Sequence, residues 1–144
     1  MKKMIIVYWS GTGNTEAMAE AIGEGASAVW QGEVVVAPVN KVSKQEVLAA
    51  DVLAFGCPAM GNEVLEESEM EPFIESLNGE KAAASHIALF GSYDWGDGQW
   101  MSDWVERMTE MGFSVVDKGL TVHNTPDQAA LDKCRELGKK LAAL

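Results

Sequence analysis

Met4-Ile5-Ile6-Val7-Tyr8-Trp9-Ser10-Gly11-Thr12-Gly13-Asn14-Thr15-Glu16-Ala17-Met18-Ala19-Glu20-Ala21-Ile22 begins as an apolar run, breaks at a loop of hydroxyls and glycines, and resumes as a helix-like stretch. It reads as strand, loop and helix start in direct succession. Backbone N–H groups and hydroxyls at the positive end of a helix dipole form a site for a phosphate group. No Lys or Arg occurs from Met4 to Asn40, so such a phosphate is held by neutral donors.

That missing charge separates the nucleotide-binding patterns. A triphosphate loop requires G-x-x-x-x-G-K-[ST]; counted from Gly11, the sixth residue is Glu16 and no Lys follows. A dinucleotide fingerprint requires a third glycine where Glu16 stands. A phosphomonoester bound without metal or cation, as in FMN, fits what remains. A Ser/Thr-capped helix start after a glycine turn fits the same loop, and on the loop alone both readings stand.

The 144 residues suffice for one domain with a full core. Asp plus Glu number 22 against 11 Lys plus Arg, a formal charge of −11. Nucleic acid needs a basic face and is not an expected partner; basic protein partners are. Cys57 and Cys134 show no metal-like or redox-motif spacing and read as reduced thiols. The apolar start after Met1-Lys2-Lys3 is shorter than a signal-peptide core, and no stretch reaches the length of a membrane span.

Outward from the opening stretch, apolar runs alternate with helical stretches five times. Strands are expected at about 3–9, 33–37, 51–56, 86–91 and 114–122, the last interrupted near Lys118-Gly119. Helices are expected at about 13–28, 43–49 with a Ser43/Glu46 capping box, 70–77, a stretch ending near Gly112, and 126–142. Near-continuous apolar strands alternating with helices imply a parallel sheet covered on both faces. Ligands of such sheets sit beyond the carboxyl ends of the strands, where the glycine-rich loops after strands 1, 3 and 4 fall.

The loops after strands 3 and 4 are Cys57-Pro58-Ala59-Met60-Gly61-Asn62-Glu63 and Ser92-Tyr93-Asp94-Trp95-Gly96-Asp97-Gly98. Met60 and Trp95 suit the two faces of a flat ring, although each singly also reads as packing. A cysteine phosphatase needs Arg where Glu63 stands. A response regulator needs acids where Trp9-Ser10 and Cys57 stand. His86 and His123 have no metal-like spacing, and no metal site is expected.

Val7 to Glu16, the loop from Cys57 to Glu63 continuing into Val64-Leu65-Glu66-Glu67-Ser68-Glu69, and Phe90-Gly91-Ser92-Tyr93 with Trp95-Gly96-Asp97-Gly98 together resemble the short-chain flavodoxins of anaerobic bacteria. The resemblance covers essentially the whole chain and implies a single α/β domain over residues 1–144, a doubly wound five-stranded parallel sheet of order 2-1-3-4-5. It implies FMN as cofactor. Ser10, Thr12, Asn14 and Thr15, with the amides of Gly11 and Gly13, would bind the phosphate. Met60 and Trp95 would flank the ring and Glu63 would accept from its N3, with Ala59, Ser92, Tyr93, Asp94 and Gly96 completing the site. Gly61 and Asn62 would form a peptide that reorients on one-electron reduction. The family usually has Gly at Asp94; an Asp strains that turn if positive φ is required, and brings a charge near the ring.

The implied function is a low-potential one-electron carrier working between semiquinone and hydroquinone, with no substrate turnover of its own. Its expected partners are basic surfaces of redox enzymes, ferredoxin-type donors and acceptors; it is expected to be a cytoplasmic monomer without membrane association. The acidic stretch Glu63, Glu66, Glu67, Glu69, Glu71 and Glu75, with no Lys or Arg from Gln45 to Glu80, opposes a second negative charge on the ring. A small FMN-dependent NAD(P)H or quinone reductase is the alternative, and a flavin-free binding module the third reading.

Overall fold

Residues 2–61 and 64–144 are described by a computed structural model. The elements are β1 (Lys2–Tyr8), α1 (Asn14–Ser27), β2 (Gly32–Pro38), α2 (Lys44–Ala49), β3 (Val52–Gly56), α3 (Met70–Ser76), β4 (His86–Tyr93), α4 (Gln99–Glu110), β5 (Ser114–Val115), β6 (Leu120–His123) and α5 (Gln128–Ala142). All named strand pairings are parallel, in the order β2-β1-β3-β4-β5, and β6 also pairs with β4. The fifth strand of the sequence reading is therefore two short pieces on one partner. A 3-10 turn, Val116–Lys118, separates them, with φ of 58° at Asp117 and 56° at Lys118.

Strand residues alternate between two cores, as the two-residue period of a β-strand requires. Ile5, Val7, Leu53, Phe55, Ile87 and Leu89 face α2, α3 and α4 and meet Val47, Ile74, Trp104 and Met108. Met4, Ile6, Ala54, Ala88 and Phe90 face the other way, onto Met18 and Ile22 of α1 and Leu137 and Leu141 of α5. Every residue of β3 is buried, as expected for a strand covered on both faces.

The helix starts differ in how they are closed. Ser43 and Glu46 form the expected capping box at α2, and Asp127 caps α5 by accepting from the Ala130 amide at 2.8 Å. At α1 and α4 the preceding residues, Gly13 and Gly98, are left-handed and supply no side-chain cap. Both uncapped starts follow glycine loops at the carboxyl edge of the sheet, so their first amides remain available to a ligand. No helix among the described residues is long and apolar enough to cross a membrane.

Candidate functional site

The loops after β1, β3 and β4 meet around one slot of about 150 Å³. Trp9, Gly11, Thr12 and Asn14 contribute from the first loop, Pro58, Ala59 and Met60 from the second, and Ser92, Tyr93 and Asp94 from the third. Trp9 and Pro58 were not among the expected site residues. Their position at the end of a strand was the available signal.

The loops are fastened to one another. Trp9 donates its indole N–H to Glu69 at 3.2 Å. Thr15 is buried and shares a hydroxyl hydrogen bond of 3.1 Å with Ser92, so its side chain ties α1 to the end of β4. Backbone bonds from Ala59 to the Ser92 carbonyl, 3.0 Å, and from Cys57 to the Phe90 carbonyl, 3.1 Å, extend the β3–β4 ladder into the site. Beneath it, the Trp100 indole donates to the Cys57 carbonyl at 3.2 Å.

Ser10 accepts from the Gly13 amide at 3.0 Å, which shapes the first loop into a turn opening on the start of α1. Gly61 has φ of 47°, and reciprocal Met60–Val64 backbone bonds of 2.9 and 3.0 Å close the second loop. Asn62 and Glu63 lie outside the described residues. A second recess of about 540 Å³, bordered by Met60, Gly61 and Ser68, adjoins this loop. In the third loop Trp95 stands 62% exposed and is not among the residues that line the slot. Positive φ falls on Gly96 (91°) and Gly98 (88°); Asp94 is not among the positive-φ residues, so it sits there without the strain the sequence reading allowed for.

The acidic stretch behind the second loop has specific tasks. Glu66 is buried, and its carboxylate accepts from the amides of Ser68 (2.8 Å), Glu69 (2.7 Å) and Met70 (3.0 Å) and from the Ser68 hydroxyl, closing the start of α3. Burial works against its charge, yet these donors together hold its pKa below the usual value. Arg107 on α4 grips Glu71 with both guanidinium nitrogens, 2.8 and 2.6 Å, and reaches Glu75 at 3.0 Å. Part of the expected negative field is thus used within the protein. Cys57 is buried, its thiol pushed up to about 12 chiefly by desolvation, and its sulfur accepts the Glu66 amide at 3.3 Å. It is a structural residue rather than a nucleophile. A larger cavity, about 720 Å³, lies between α5 and Val116–Leu120 and holds none of the expected residues.

What this site can do follows from its donors. Free amides and hydroxyls at an uncapped helix start bind a phosphate ester. Apolar and aromatic walls on the adjoining loops bind a flat ring. Among the described residues, no paired nucleophile and base stands between them.

The family model described as Flavodoxin matches residues 6–138. The chain is 53% identical to a flavodoxin of Clostridium beijerinckii, over 96% of this chain and 99% of that one. It is 43% identical to a flavodoxin of Megasphaera elsdenii, over 95% and 96%. The solution structure of two-electron reduced Megasphaera elsdenii flavodoxin superposes with a TM-score of 0.81, at 40% identity and covering 98% and 99% of the two chains.

Proposed function

The chain belongs to the flavodoxin family, and on that premise we propose that it is a low-potential carrier of single electrons between redox proteins, working between the semiquinone and hydroquinone forms of its flavin. FMN is the cofactor, held without a covalent bond. When bound, it supplies the electron chemistry that none of these side chains performs.

The observation that carries the reading is the convergence of three loops on one slot at the uncapped start of α1. The first loop would hold the phosphate through Ser10, Thr12 and Asn14 and the amides of Gly11 and Gly13, the last of which donates to Ser10 in this structure. Thr15 supports this loop from behind through Ser92. Met60 and Trp95 take the two ring faces. Glu63 and Asn62 complete the polar edge, and the positive φ of Gly61 supports a peptide there that can turn. Asp94 sets the charge beside the ring. The net charge of −11 would draw partners with basic docking faces to this protein. Turnover of a substrate is not part of this role, and the cytoplasm is its setting.

Titration of the apoprotein with FMN tests the binding step. Flavin emission quenched at one equivalent, with a dissociation constant below about 1 μM, is the expected result. Emission unchanged on mixing overturns the reading.

A further inference from the structure

His123 ends β6 directly beside Tyr93, its partner in the parallel register with β4. Its Nε2 lies 2.9 Å from the Asp94 carbonyl oxygen, and its ring centroid lies 5.0 Å from that of Tyr93. The next residue, Asn124, donates its amide to the Tyr93 carbonyl at 2.8 Å. The carbonyls of Tyr93 and Asp94, where β4 passes into the third loop, are therefore held by Asn124 and by His123 at the end of β6.

A carbonyl only accepts, so Nε2 carries a hydrogen and Nδ1 is the atom that titrates. The bond to Asp94 survives protonation, and only the charge changes. The Asp94–Trp95 peptide is planar, so turning its carbonyl to His123 turns the Trp95 N–H the opposite way. Tyr93 and Asp94 form that wall of the slot.

We propose that His123 is a positioning residue for the FMN slot and couples proton uptake on its ring to electron uptake on the flavin. The proposal rests on the FMN reading above. His123 orients the Asp94–Trp95 peptide, and its imidazolium puts a positive charge behind the wall where negative charge arrives on reduction. The electrons come from an external reductant and the proton from solvent; at the protein only the Nδ1–H bond forms. Tyr93 and the Asp94 backbone carbonyl face the ring from β4 and the loop after it, and Asp127, the cap of α5, and Lys133 within α5 border a recess with it. Linkage is reciprocal: if the proton eases reduction, reduction tightens the proton.

The chain carries an internal control. Its other histidine, His86, begins β4 at the opposite edge of the sheet and meets Ser85 at 3.2 Å. Proton NMR titration of both histidines in the FMN-loaded protein, oxidised and fully reduced with dithionite at low salt, reads the coupling directly. The expected result is a rise of about 0.3 unit or more in the His123 pKa on reduction, with His86 moving by less than about 0.1. In His123→Gln, which keeps an amide donor for Asp94, the potential of the second electron is expected to lose the His123 component of its pH dependence. His123 titrating alike in both states, or both histidines shifting equally, overturns the proposal. Failure to bind FMN at all overturns the functional reading along with it.

Discussion

The Trp9 indole donates to the Glu69 carboxylate across 60 positions of sequence, at 3.2 Å, and so joins the loop that opens α1 to the segment that opens α3. Trp9 also borders the slot, and its ring lies where a Cβ on Gly11 would fall at 3.1 Å. Trp9→Phe keeps the ring and removes the donor. FMN affinity is expected to fall about fivefold, near 1 kcal/mol, measured by flavin fluorescence titration. Unchanged affinity would mean that the two loops hold their places independently.

Glu66→Gln removes the charge that closes α3. Because the folded-state pKa of Glu66 is depressed, its contribution is present above the ordinary carboxyl value of 4.5 and is lost as pH falls through the lower folded-state value. The variant is expected to be less stable by about 1–2 kcal/mol at neutral pH, with the gap closing only below 4.5. Urea unfolding across pH measures this, and a gap independent of pH would contradict it.

Gly138→Ala tests how α1 and α5 meet. A Cβ at Gly138 would fall 2.0 Å from the Ile22 carbonyl oxygen, and one at Gly25 would fall 1.9 Å from the Arg135 carbonyl oxygen. These are backbone atoms, so the helices themselves must move apart. A loss of about 1–3 kcal/mol is expected from chemical unfolding of the apoprotein.

Asp94→Gly removes a charge from the slot wall without relieving strain, since the positive-φ positions of that loop are glycines. The second reduction is expected to become easier by roughly 20–40 mV, about 0.5–1 kcal/mol. Spectroelectrochemistry at fixed pH measures it, and an unchanged midpoint would remove Asp94 from the residues that tune the flavin.

Features written in local patterns appear in the structure close to where the sequence places them. The strand, loop and helix of Met4 to Ile22, the Ser43/Glu46 box and the break before Gly119 each depend on neighbours a few residues apart. The three glycine loops meet at one edge because parallel strands put their carboxyl ends together. Other features depend on pairs distant in sequence. Glu66 reads as one acid among many, and only the turn at Ser68 directs three amides at it. Gly25 and Gly138 read as weak points in helices until the helices are packed together. His123 reads as a strand end, and its hold on Asp94 exists only because β6 lies beside β4.

The central claim is one-electron chemistry on a bound flavin, and stepwise anaerobic reduction of the FMN-loaded protein, followed by visible absorption, tests it most directly. The account predicts passage through a neutral blue semiquinone before bleaching. Direct two-electron bleaching, accompanied by oxidation of added NAD(P)H, would contradict it.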